Sequence, residues 1–201
     1  MRHTTLIAGT ILATFSGSSI ADMLTFESTG IITDFRPGFD GADEFPFIGL
    51  NEGDSLFYHF EYDSDVSAIS DNGFTTTYEF AGAGSYAFLG STRVDFDSIR
   101  ISISSDGISG GGIGFTGFVD DIGVSAGVNL DGASPMSGEL PTSIDINDFT
   151  WARLSGANSD QNQITFPIVM GTVDTATITP APASSALLLA AAGFARRRRR
   201  A

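Results

Sequence analysis

Apolar and polar residues alternate along the middle of this chain with a period of two. Ile99, Ile101 and Ile103 are interleaved with Ser98, Arg100, Ser102 and Ser104, the pattern of a half-buried strand. Leu56, Tyr58, Phe60 and Tyr62 form a second such face, and His59 falls on its opposite side with Phe57 and Glu61. Thr76, Tyr78 and Phe80 predict a third strand. Ile164, Phe166, Ile168 and Met170 predict a fourth, and Pro167 within it marks an edge. Leu24 and Phe26 open another. Phe149 and Trp151 share a phase that Ile144 and Ile146 do not, so a bulge or break is expected near Asn147-Asp148. The pairing of Trp151 with Phe149 places the indole in the core. Asp40-Gly41, Asn72-Gly73, Asp106-Gly107 and Asp131-Gly132 punctuate the runs as turns. Two stretches, 37–51 and 131–143, read as loops. No interior segment carries a helical stripe. The expectation is an all-β, antiparallel β-sandwich or jelly-roll-like single domain over 22–179.

The two ends read differently. Met1-Arg2-His3 is a basic start, Leu6 to Phe15 is mostly apolar, and Ser19-Ile20-Ala21 puts small residues where a signal peptidase reads. Cleavage is expected after Ala21, which makes 1–21 a signal peptide. At the other end, Thr179-Pro180-Ala181-Pro182 precedes an apolar run from Ala183 to Ala195, then Arg196, Arg197, Arg198, Arg199 and Arg200. A run of that length is short of the roughly 20 residues of a spanning helix, so it makes a marginal, transient anchor. The arginines would hold the terminus on the cytoplasmic side.

This tail, 180–201 with Thr179 before it, resembles the PEP-CTERM sorting signal recognised by bacterial exosortases. The common tetrapeptide of that family is Val-Pro-Glu-Pro. Here Ala181 stands in the Glu position and both prolines are kept. The resemblance implies export, processing by an exosortase near Pro180 and Pro182, and delivery to the cell surface or extracellular matrix, often beside an exopolysaccharide system.

Charge narrows the function classes. The 22–179 segment holds all 24 acidic residues against four arginines, Arg36, Arg93, Arg100 and Arg153, a net of −20. The chain has no lysine. Such a body repels nucleic acid and anionic membrane surfaces. The absence of cysteine leaves the fold to a hydrophobic core despite an export address that permits disulfides.

Catalytic motifs are weak. Gly107-Ile108-Ser109-Gly110-Gly111 has the spacing of a nucleophile elbow but no helical pattern follows it. Gly112-Ile113-Gly114-Phe115-Thr116-Gly117 has the dinucleotide spacing, again without a helix. A glycine-rich turn accounts better for the first run, and bulges or tight sheet packing for the second. Within 22–179 His59 has no second His, and the chain has no Cys, to make a zinc site. The carboxylates Asp63, Asp65 and Asp71 are the candidate calcium ligands, with solvated turns as the simpler account; Asp40, Asp43 and Glu44, and Asp145, Asn147 and Asp148, form two further groups. The leading expectation is a non-enzymatic surface or matrix protein associated with exopolysaccharide or biofilm. The alternatives are a calcium-assisted carbohydrate-binding module and a secreted polysaccharide hydrolase using paired acids.

Overall fold

A computed structural model of the chain describes residues 23–37, 42–105, 111–133, 137–158 and 167–180. The strands are β1 (Met23–Phe35), β2 (Ser55–Asp63), β3 (Ser70–Asp71), β4 (Thr75–Ala81), β5 (Tyr86–Leu89), β6 (Thr92–Asp95), β7 (Ser98–Ser104), β8 (Gly111–Val119), β9 (Val124–Ala133), β10 (Trp151–Asn158) and β11 (Val169–Pro180). They pair antiparallel in one sheet of order β3-β4-β7-β8-β9-β10-β11-β1-β2-β5-β6. Only two short 3-10 turns, Asp120–Ile122 and Ile146–Asp148, interrupt the strands with helical geometry among the described residues.

The sheet curls until its two halves face each other, giving a sandwich-like, all-β fold. Aromatic contacts between strands far apart in the sheet show the closure. Phe26 of β1 stacks on Phe115 of β8 with ring centroids 3.9 Å apart. Tyr62 of β2 meets Phe80 of β4 at 6.0 Å. Alternation drives this: Leu56, Tyr58, Phe60 and Tyr62 are all buried, as are Ile99, Ile101 and Ile103. Burying such side chains is the main favourable term of folding.

Buried phenols also pin the layers together. The Tyr58 hydroxyl donates to the Ser155 carbonyl at 3.0 Å. Tyr62 donates to the Pro141 carbonyl, and Tyr78 to the Gly138 carbonyl at 2.9 Å, so both hold the segment after β9 against the core. The 37–51 stretch has no strand in its described part, as expected, yet it contributes Ala42, Phe47 and Leu50 to the core.

Three expectations are corrected. Asp131-Gly132 is no turn. Gly111 pairs with Ala133 and Gly112 with Asp131, so Gly132 is the extra residue of a bulge, with φ of 87°. The strand after Pro167 is not simply an edge. Over Val169 to Thr172 it has β10 on one side and β1 on the other, and from Val173 to Pro180 its register partner is β1. Ile168 precedes that strand and is buried while Met170 is half-exposed, so the two do not share a face. Ile164 and Phe166 lie outside the described residues, as do Asp40-Gly41 and Asp106-Gly107.

Candidate functional site

The break expected near Asn147-Asp148 is the 3-10 turn Ile146–Asp148, closed at its start by Asp145, whose carboxylate accepts from the Asn147 amide at 2.9 Å. Phe149 turns inward against the core. The Thr150 amide then donates to the Asp131 carbonyl at 2.9 Å, and β10 begins at Trp151 with Ala152 and Leu154 carrying the inward phase. Trp151 therefore faces out and is 41% exposed, against the expectation of a core residue.

Register sets its neighbours. Trp151 is opposite Asp131, and Arg153 is opposite Asn129 on one side and Thr172 on the other. The Arg153 guanidinium lies 5.0 Å from the Trp151 ring centroid and donates toward the Met170 sulfur at 3.9 Å. A cation over an indole face is attracted by the ring quadrupole. Burial raises the Asp131 carboxyl above its ordinary value, against the lowering pull of Arg153. An open groove of about 380 Å³ runs beside the indole over Thr33, Asp34, Arg153, Met170 and Thr172. Asp34 is held by Arg36 at 2.8 Å. The site thus offers an apolar ring face, a forked donor and carboxylate and amide acceptors on one outer surface.

The other sequence candidates are placed as follows. Gly112 to Gly117 lie within strand β8, where no helix N-terminus can receive a pyrophosphate. Their packing is tight instead: a Cβ at Gly117 would lie 2.4 Å from the Phe96 ring. Gly107 to Gly110 are outside the described residues. Asp63 accepts from the Asp65 amide and Asp71 from the Gly73 amide, each at 2.8 Å, so both shape their own turns. Among the described residues no group of three or more His, Asp or Glu side chains could hold a metal ion. Thr179 and Pro180 sit in β11, opposite Thr25 and Leu24. Ala21, Pro182 and Arg196 to Arg200 lie outside the described residues.

A second outer surface gathers on the face of β2 where the alternation places Phe57, His59 and Glu61. His59, with a side chain 13% exposed, sits between the Glu27 carboxylate at 3.0 Å and that of Glu61 at 3.4 Å. It stacks on Tyr86 at 4.7 Å, and Arg93 covers the same tyrosine at 4.1 Å. Glu27, His59 and Tyr86 are register partners on three strands. No helix among the described residues is long and apolar enough to cross a membrane. No protein-family model, curated protein or solved structure matches the chain.

Proposed function

We propose that this chain is an exported, non-enzymatic surface or matrix protein that associates with extracellular polysaccharide through the Trp151 face. The observation that carries the reading is the exposed indole of Trp151 with Arg153 beside it. A pyranose ring has an apolar C–H face that packs on an indole, and hydroxyls that take donors and acceptors from Arg153, Asp131 and Asn129. A large apolar surface with a few placed polar groups is the general form of a small-ligand site. The signal peptide and the exosortase-type tail supply the address: signal peptidase acts after Ala21, the apolar run holds the chain transiently in the inner membrane, and exosortase releases it to the surface. The acidic body keeps it away from nucleic acid.

A glycan array probed with the wild-type chain and Trp151→Ala, each with and without EDTA, tests this. Selective binding that Trp151→Ala removes and EDTA leaves intact is the expected result. Binding lost on EDTA treatment would move the reading to a calcium-assisted module, and release of sugar from a bound polysaccharide would move it to a hydrolase. No binding by the wild-type chain overturns it.

A further inference from the structure

We propose that the Val173–Pro180 portion of β11 is a self-association edge, on which a second copy of this chain adds its own β11 antiparallel. β10 leaves β11 after the Arg153–Thr172 pair, while β1 continues alongside as far as Pro180. Among the described residues no strand is paired with the other side of 173–180. At about 3.3 Å per residue this is an edge of roughly 26 Å. Open edges offer unpaired N–H and C=O groups to any matching strand, and proteins usually blunt them with charge, proline or brevity.

The other two edges of the sheet are blunted. β3 is two residues long. β6 carries Arg93 and Asp95, which are paired with each other at 2.7 Å. The 173–180 segment reads Val-Asp-Thr-Ala-Thr-Ile-Thr-Pro, with a single charge at Asp174, which is also the extra residue where the register with β1 shifts; from Thr175 to Pro180 the pairing with β1 is regular. In a body with a net of −20, two copies repel almost everywhere else, so the uncharged stretch from Thr175 to Thr179 is where they can meet.

The sequence also suits a two-fold axis through Thr177. That register sets Thr177 against its own copy, Thr175 against Thr179, and Ala176 against Ile178. Asp174 then faces Pro180, so no carboxylate is opposite another. Thr175, Thr177 and Thr179 are exposed, and Ala176 and Ile178 point to the core side, so each copy extends both faces of the other's sheet. Cross-strand Thr–Thr pairs are favourable and like charges directly opposite are not.

Sedimentation equilibrium of the purified full-length chain tests this, with Thr177→Asp and Thr177→Cys compared with wild type. The wild type should be a concentration-dependent dimer. Thr177→Asp sets two carboxylates face to face and should weaken dimerisation at least tenfold. The chain has no cysteine, so Thr177→Cys supplies a lone thiol at the axis. Facing residues of an antiparallel pair are within disulfide reach, so mild oxidation should give a covalent dimer, whereas Thr92→Cys on β6 should not. A monomer at all concentrations overturns the proposal. So does a dimer that ignores Thr177→Asp and does not cross-link at position 177, which would place association on another surface.

Discussion

Leu24 and Pro180 are register partners at one end of the β1–β11 pair. The first described strand and the last therefore begin and finish side by side. The expected cut after Ala21 falls just before β1, and the tetrapeptide starts inside β11. Processing upstream of Pro180 would shorten β11, and a cut before Val173 would remove its whole pairing with Leu24 to Gly30. A chain ended after Pro180 is expected to melt within a few degrees of the full chain. One ended after Thr172 removes the partner of Leu24 to Gly30, and it orphans the fully buried Ser28 hydroxyl, which donates to the Thr175 carbonyl at 2.9 Å. That unmade bond alone costs about 1–3 kcal/mol, so the shorter chain should unfold at a clearly lower temperature by circular dichroism. Intact mass of exported material should place the mature C-terminus at or beyond Pro180.

Trp151→Ala should separate affinity from stability. The indole is 41% exposed, so its loss removes little core, and surface changes usually stay within about 0.5 kcal/mol. Truncating an aromatic anchor at a binding surface costs about 2 kcal/mol or more, near a 30-fold loss of affinity. Isothermal titration with the best glycan from the array, alongside urea melts of both proteins, measures the two effects. Equal losses in both would mean that the ring serves the fold.

The central strands were legible because alternation records burial directly. β2 and β7 lie where Leu56 to Tyr62 and Ile99 to Ile103 place them. Asn72-Gly73 is a turn for the reason its chemistry suggests: Asn72 accepts from the Phe74 and Thr75 amides at 2.9 and 2.8 Å, and Gly73 takes φ of 82°. Phe149 gives the wrong phase for Trp151 because the 3-10 turn, with the Thr150 bond to Asp131, restarts the alternation between them. The groove beside it could not be seen in advance. It joins Thr33, Arg153 and Met170, and nothing in the local sequence records which strands become neighbours. The His59 surface has the same origin, since Glu27 and Tyr86 meet His59 only through register.

Glycine substitutions should rank by what the added methyl meets. At Gly127 it would lie 2.2 Å from the Phe115 carbonyl oxygen, which is backbone and cannot yield. At Gly117 it would strike Phe96, whose ring stacks on Phe60 at 5.4 Å and is confined by the core. At Gly114 the nearest atom is the Asn129 Oδ1 at 2.9 Å, the end of an exposed side chain that can swing away. Overpacking costs about 1–3 kcal/mol where neighbours cannot move. Urea midpoints should fall most for Gly127→Ala, next for Gly117→Ala and least for Gly114→Ala. A Gly114→Ala loss as large as the others would contradict the packing.

Alkaline pH should unfold the protein through its tyrosines. Burial pushes the Tyr58 and Tyr62 phenols well above their usual value, and Tyr78 is raised by burial with help from Glu139 and Asp71. An unfolded tyrosine ionises near pH 10. A folded-state value above that means the folded protein holds the proton more tightly, so the stabilisation is complete below about pH 10 and is lost as pH climbs toward the folded value. Between the unfolded and folded values, Tyr58 and Tyr62 each steepen the loss by up to about 1.4 kcal/mol per pH unit. Tyr58→Phe gives up the bond to Ser155 and should lower neutral-pH stability by about 0.5–1.5 kcal/mol, yet it removes one ionisable group and should flatten the alkaline slope. The check is to follow phenolate absorbance and strand circular dichroism together from neutral pH upward. Phenolate from the buried rings should appear only as the strands are lost. If all four tyrosines ionise near pH 10 with the sheet intact, the hydroxyls of Tyr58 and Tyr62 are not enclosed by the core, and the layers are not joined there.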